Sequence, residues 1–481
     1  MSTSMPGVVY AEDIAAQTNS ITHPVRARQP GSGFGYILQV SAVALAEFAR
    51  NDWSQVSTMP QFTDSDFPAR TQAPVLHGSP VRASGGEPRV AMYTPDFSAD
   101  PHRAYADMRQ RYGSLVPVEL SPGVPATLVI GYRTALQILN DPDRFPADPR
   151  AWQQNVPGEC PVRPVLEWQP TAMYNTGVDH QRYRNAVVAA LDTVDLHAVH
   201  AMVGYLAEPL IDGFCEAGAA DLVTDYAFPL VTSVLDQLIG CPAELGLRVA
   251  NGMAACFDTA RAAQGLAQAR EALTELVYLK RTDPGDDITT HLINSPAEFT
   301  DEEVAAQLVS FYSSGVPAQC NLAVNTVLLM LTDERFGGGL FSGALSTRDA
   351  LDEVLFNDPP LANFCITYPK QPTVVEDTWL PAHQPVVISL AGCNTDPAID
   401  KGERFGNRAH MAWSTGLHAC PARELAYLVV QDAVDELLDI VPDLRLSIDP
   451  EELVWRTGPF HRSLVSLPVT FEPVPKTGLD R

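Results

Sequence analysis

The pattern of apolar and polar positions changes character near residue 90. Before that point Pro, Gly, Ser and Thr are frequent. One periodic piece stands out, Val40 to Trp53, whose spacing predicts a short amphipathic helix. Met59 to Pro88 carries the breakers of a linker. Residues 1–90 therefore read as an extension without visible chemistry, and residues 91–481 as one large domain. In that domain Asp100-Pro101 predicts a helix start, with Pro at the first helical position, and the helix runs through Tyr105, Met108 and Tyr112. Gly123 to Gly131 reads as a hairpin strand pair, followed by a helix ending near Asn140-Asp141-Pro142. Helical spacing dominates from Asp179 to about Lys280 and breaks at Pro284-Gly285-Asp286-Asp287. Thr300-Asp301-Glu302-Glu303 joins an N-cap hydroxyl to acidic first-turn residues, and opens a long helix expected to reach Leu331. A helix so apolar belongs at the centre of a large domain. Short β-like segments (Val374-Val375, Val386 to Leu390), a last helix from Ala422 to Ile440 and a strand-like run ending at Phe471 complete the chain. The class is mainly α with small β-sheets.

Composition narrows the function. With 481 residues, 46 % of them hydrophobic, the chain can bury a large core. A formal charge of −26 argues against nucleic acid as a partner, because phosphate binding needs clustered Lys and Arg. It argues equally against adhesion to anionic lipid. The eight cysteines include no C-x-x-C pair and are spread along the chain, as in proteins with reduced thiols. No signal peptide is read at the start. The longest apolar stretch there, Tyr36 to Phe48, is interrupted and too short to span a bilayer. A cytoplasmic protein is expected.

The richest chemistry lies in Ala412-Trp413-Ser414-Thr415-Gly416-Leu417-His418-Ala419-Cys420-Pro421. Cys420 sits in a Gly-containing loop just before a helix, where backbone N–H groups stabilise a thiolate. Gly416 lets the backbone approach a flat ligand, and His418 offers a polar group. This suits a thiolate on haem iron, which favours O–O cleavage. A buried cysteine before a helix is the competing reading of the loop alone. Zinc fits poorly, since no second Cys/His pair lies at a suitable spacing.

Further motifs bear on that choice. Asp100-Pro101-His102, Leu128-Val129-Ile130-Gly131-Tyr132, His180-Gln181-Arg182-Tyr183-Arg184, Pro284 to Asp287 with Thr300 to Val304, and Asn394-Thr395-Asp396-Pro397 precede the cysteine loop in that order. From about residue 90 onward the chain resembles a bacterial, actinobacterial-type cytochrome P450 with a single large haem domain. The resemblance implies haem b with Cys420 as the axial ligand to iron. It also implies that His180 and Arg184, which share one helix face, clamp the haem propionates with His418. Trp413 would pack near the cysteine sulfur.

The chain departs from the family pattern at three places. The family pairs a Glu with an Arg three residues later. Here Glu353 is followed by Phe356, so Glu353 needs another donor, with Arg404 and Arg408 as candidates. A small branch of the family lacks this arginine, and the Trp-Ser and Cys-Pro of its cysteine loop match Trp413-Ser414 and Cys420-Pro421. On the long helix, alignment on Gly315 puts Pro317 and Ala318 where the family has an acid and a threonine that relay protons. Pro317 is expected to kink the helix and free a carbonyl, while Gln319 or Ser314 could hold a water. Lastly, Asn363 to Pro369 lacks the arginine expected to reach a propionate, and Lys370 is the nearest cation.

The implied function is a monooxygenase acting on a small organic substrate. Its electrons would come from NAD(P)H through ferredoxin and its reductase, docked on Lys401, Arg404, Arg408 and Arg423. The alternative is a haem-binding protein with little oxygenase activity, serving as a sensor or signalling component with a protein partner, or using peroxide. The segment between about Asp192 and Gln268 is expected to form the lid of an apolar pocket.

Overall fold

The computed structural model describes residues 82–83, 89–158, 160–255, 262–336, 345–399 and 407–477. The helix expected over Val40 to Trp53, and the cations Lys401 and Arg404, lie outside the described residues.

A five-stranded sheet of mixed direction forms one side of the molecule. Its strands are β1 (Val90–Ala91), β2 (Leu115–Ser121), β3 (Val124–Val129), β4 (Asn363–Thr367) and β5 (Val386–Ser389), ordered β1-β2-β3-β5-β4. The hairpin is real, but its first strand precedes the expected segment. β2 and β3 pair antiparallel across a turn that holds Gly123 at φ 76°. Gly123 to Gly131 thus supplies the second strand only, because the turn residues are Pro122 and Gly123. Helix α1 (Pro101–Tyr112) packs on this sheet, capped by the Asp100 side chain accepting from the Arg103 N–H.

The rest is helical. Helices α2 (Gly177–Leu191), α3 (Leu196–Asp212), α4 (Phe228–Leu238), α5 (Ala243–Ala255) and α6 (Ala262–Thr282) lead to the central α7 (Asp301–Thr332). Helix α8 (Thr347–Asn357), the short α9 (Leu390–Asn394) and the long α10 (Arg423–Ile440) follow. α7 carries the capping box read from Thr300 and Glu303, with both reciprocal bonds present. It contacts α4, α6, α8 and α10, and Val304, Leu308, Tyr312 and Val316 are all but inaccessible. By length and composition α7 is apolar enough to cross a membrane, yet it runs through the middle of the largest hydrophobic cluster. The expected kink does not break it: the helix continues through Pro317, which leaves the Ser313 carbonyl without its helical N–H partner.

One polar tie fixes α2 against α7. The Arg182 guanidinium donates to Glu303 Oε1 at 2.5 Å and Oε2 at 2.9 Å, and to the Ala297 carbonyl at 2.9 Å. The Tyr183 hydroxyl donates to the same carboxylate at 2.9 Å. The bonds from Arg182 hold the Glu303 carboxyl down at about 2, below its ordinary 4.5. A depressed carboxyl contributes stability that is complete above its ordinary value and lost as pH falls through the folded value. Arg182→Ala is therefore expected to destabilise the fold by about 2 kcal/mol at neutral pH, the scale of bonds to a charged group. In urea unfolding the gap to wild type should narrow as pH is lowered from 4.5 toward about 2. A gap that stays constant with pH would contradict this account.

Candidate active site

A cavity of about 300 Å³ lies between α7 and the loop that leads into α10. One wall comes from α7, through Gln307, Ser310, Phe311, Ser314, Gly315, Ala318, Gln319 and Leu322. Trp413, Ser414, His418 and Cys420 supply the facing wall, and His180 and Arg184 reach in from α2. Gly315, Ala318, Gln319, His180, Arg184, Trp413, His418 and Cys420 are thus brought together from segments far apart in the chain. Pro317 and Gly416 do not line the cavity.

The cysteine loop is shaped by its own backbone. Ser414 takes φ 58° and donates its N–H to the Met411 carbonyl at 2.7 Å. The Cys420 N–H closes the loop on the Trp413 carbonyl at 2.8 Å. Gly416 has φ 72°, and a Cβ there would sit 2.9 Å from the Leu139 carbonyl oxygen. A close approach within the protein thus already demands a glycine at this position. Gly315 is the reverse case. A Cβ on it would meet only Gln319 Nε2 and Leu235 Cδ1, each at 3.6 Å, so the protein by itself does not demand glycine there.

The rim is polar and unsatisfied. Nε2 of His418 and Nε1 of Trp413 are buried without hydrogen-bond partners among the described residues. The ring nitrogens of His180 and Oγ of Ser414 make no well-formed bond, although His180 lies beside the Leu417 backbone and Ser414 beside the Cys365 thiol. His180 and His418 meet edge to face, with ring centroids 4.6 Å apart. Burial and the neighbouring Arg184 guanidinium hold His180 below its ordinary value. Burial, then His180 and Arg184, push His418 down to about 4. The Cys420 thiol is pushed up by burial, opposed by the Ala422 N–H and by Arg184 and Arg423. Arg184 is the one Lys or Arg among the described residues lining the cavity, and burial lowers it too. Buried polar groups left unpaired are costly, and such groups converging on one cavity fit an anionic bound group. The carboxylates of haem are such a group, and Cys420, whose burial favours the neutral thiol in the protein alone, would lose its proton on binding iron. Haem therefore fits this site.

Other expectations change. Lys370 is exposed and does not line the cavity, so it adds no second cation beside Arg184 among the described residues. Arg408 does not serve Glu353: it pairs with Asp352 at 2.8 Å. Glu353 instead faces Arg335 at 3.6 Å and accepts from Asn357 Nδ2 at 2.8 Å. Phe356 is buried against the His410 ring, with centroids 5.4 Å apart. Sequence reading missed Cys365, which lines the cavity at φ 54° with its thiol pushed up to about 11 by burial. It also missed the buried, unpartnered hydroxyls of Thr171 and Thr367 on the cavity wall. No local pattern marks these three, because long-range packing alone brings them to the site.

The fold, with a central long helix and a cysteine loop before the last long helix, is cytochrome P450-like. Comparison with known proteins agrees. No protein-family model matches the chain. Cytochrome P450 107B1 of Saccharopolyspora erythraea is 27 % identical over 407 residues, spanning 80 % of this chain and 98 % of that protein. The cytochrome P450 monooxygenase PikC of Streptomyces venezuelae is 28 % identical over 392 residues, 78 % of this chain and 92 % of PikC. Among solved structures, CYP154C4 from Streptomyces sp. W2061 superposes with a TM-score of 0.72 at 25 % identity, over 80 % of this chain and 98 % of its own.

Arg184→Leu removes the one cation at the rim. It is expected to speed transfer of haem to a haem-scavenging globin at least about tenfold, the scale of one lost charge-assisted bond. An unchanged transfer rate would show that Arg184 does not hold the propionates.

Proposed function

We propose that this chain is a haem-thiolate monooxygenase that inserts one atom of O₂ into a small, largely apolar organic substrate, the other atom leaving as water with two electrons and two protons. The observation that carries this reading is the cavity itself, with Cys420 on one wall and Gly315 and Ala318 on the other. When bound, haem supplies oxygen activation, which a thiolate ligand favours by pushing electron density onto the metal. Everything else falls to the chain. Cys420 would be the ligand to iron, and Arg184, His180 and His418 would hold the propionates. Gly315 keeps the helix surface low over the site. Val165, Leu166, Met173, Leu235, Leu238 and Phe311 exclude water and fit an apolar substrate.

Proton supply is where this chain is unusual. Ala318 carries no hydroxyl, and Gln319 Nε2 turns back to the Gly315 carbonyl at 3.4 Å. Ser314 Oγ donates to the Ser310 carbonyl, which leaves its lone pairs free to hold a water against the cavity. We assign Ser314 this role, and a ferredoxin with its reductase as the electron source. The exposed Arg423 beside the cysteine loop suits an acidic redox partner. The reading as a sensor without oxygenase activity rested on Phe356 and Ala318. Phe356 now has an apolar setting that needs no arginine, so only Ala318 still favours that reading.

Turnover with ferredoxin, reductase and NAD(P)H on a panel of apolar substrates is the test. We expect a hydroxylated product together with substantial peroxide leakage. Ala318→Thr should raise product per NAD(P)H several-fold, and Ser314→Ala should lower it. Haem-loaded protein that consumes no substrate in either form would contradict the monooxygenase reading.

A further inference from the structure

The missing arginine at Phe356 leaves open how the cysteine loop is fastened to the rest of the molecule. Asn394, the last residue of α9, has no accessible surface. Its Nδ2 donates to the carbonyls of Leu355 and Phe356, each at 3.0 Å, and its Oδ1 accepts the Met411 N–H at 2.7 Å. Both carbonyls belong to the last turn of α8, where helix geometry leaves acceptors without partners. Met411 in turn receives the Ser414 N–H, and Trp413 receives that of Cys420. The neutral amide of Asn394 therefore links the end of α8 to the loop that carries Cys420.

The base beneath Asn394 is itself fastened. The Gly392 N–H donates to Ser389 Oγ at 2.9 Å, and the Gly392 carbonyl accepts from the Arg109 guanidinium of α1 at 2.6 Å. One turn on, Asp396 Oδ2 accepts the Tyr132 N–H at 2.8 Å. Glu353, by contrast, points to Arg335 and Asn357 and touches neither the cysteine loop nor α9 through any hydrogen bond among the described residues. Asn394 is fully buried, and a neutral amide there avoids the desolvation that an ion pair would suffer.

We infer that Asn394 is the positioning residue of the thiolate loop in this chain, and that Glu353 has no part in holding the loop. The inference rests on the haem-thiolate reading for its consequence at Cys420, but the clamp itself is a property of the protein alone. Asn394→Leu keeps the volume and removes all three bonds. Asn394→Asp keeps the bond to Met411 and turns a carboxylate toward two carbonyl oxygens, so it is expected to be no better.

Two readouts on the full chain decide the matter. In the ferrous–CO spectrum, Asn394→Leu is expected to retain haem through the propionate clamp yet shift at least tenfold from the thiolate band toward the neutral-thiol band. Glu353→Gln should keep the wild-type spectrum. Hydrogen exchange gives the second readout, since peptides covering Met411 to Cys420 should exchange at least tenfold faster in Asn394→Leu while those of β2 and β3 do not change. If Asn394→Leu fails to fold, Asn394→Ser and Glu353→Gln carry the same comparison. Wild-type loop protection in Asn394→Leu, or loss of the thiolate band in Glu353→Gln, overturns the inference. Wild-type protein without a thiolate band would defeat the functional reading, while the exchange data would still decide the clamp.

Discussion

Three buried imidazole nitrogens and an indole N–H converge on one cavity without well-formed hydrogen bonds among the described residues, beside the Arg184 guanidinium, and the architecture is arranged around that deficit. A fold normally pairs nearly all of its buried polar groups, because each orphan forfeits its solvation. Here the orphans come from α2 and the cysteine loop, which meet only because α7 and α10 pack side by side beneath them. Burial keeps His180 and His418 toward their neutral forms in the protein alone. An anionic group placed among them would reverse that pressure, so the rim and its ligand stabilise one another.

The long helix provides both walls of the argument. Its apolar faces pack on α4, α6, α8 and α10, and its cavity side carries a thin polar stripe of Gln307, Ser310 and Ser314. Gln307 is spoken for, since its Nε2 donates to the Pro170 carbonyl at 2.6 Å and so ties the helix to the segment over the cavity. Ser314 lies one helical turn before Ala318 and lines the same cavity. In the proposed function, oxygen activation and haem binding would rest on different residues, so that changes in one need not damage the other.

Much of this was legible in the sequence because it is local. The N-cap of α7, the proline that opens α1 and the last helix all follow from spacing within a few residues. Cys420 with His418, and His180 with Arg184, are also short-range patterns, and only their meeting in space required the fold. What escaped was long-range. Asn394 bonds to residues 39, 38 and 17 positions away, so nothing beside it in the chain announces a clamp. The partner of Glu353 escaped for a related reason: Arg335 lies on the loop leaving α7, whereas the cations considered lay after the sheet. The contact of Gly416 with the Leu139 carbonyl is equally long-range, so the chain beside it does not show it.

The central claim is that Cys420 binds the iron of a haem seated in this cavity. The ferrous–CO spectrum of the purified protein, set against that of Cys420→Ala, tests it most directly. The account predicts the red-shifted Soret band of thiolate ligation in the wild type and its loss in the variant. Protein that takes up no haem, or a variant whose spectrum matches the wild type, would contradict it.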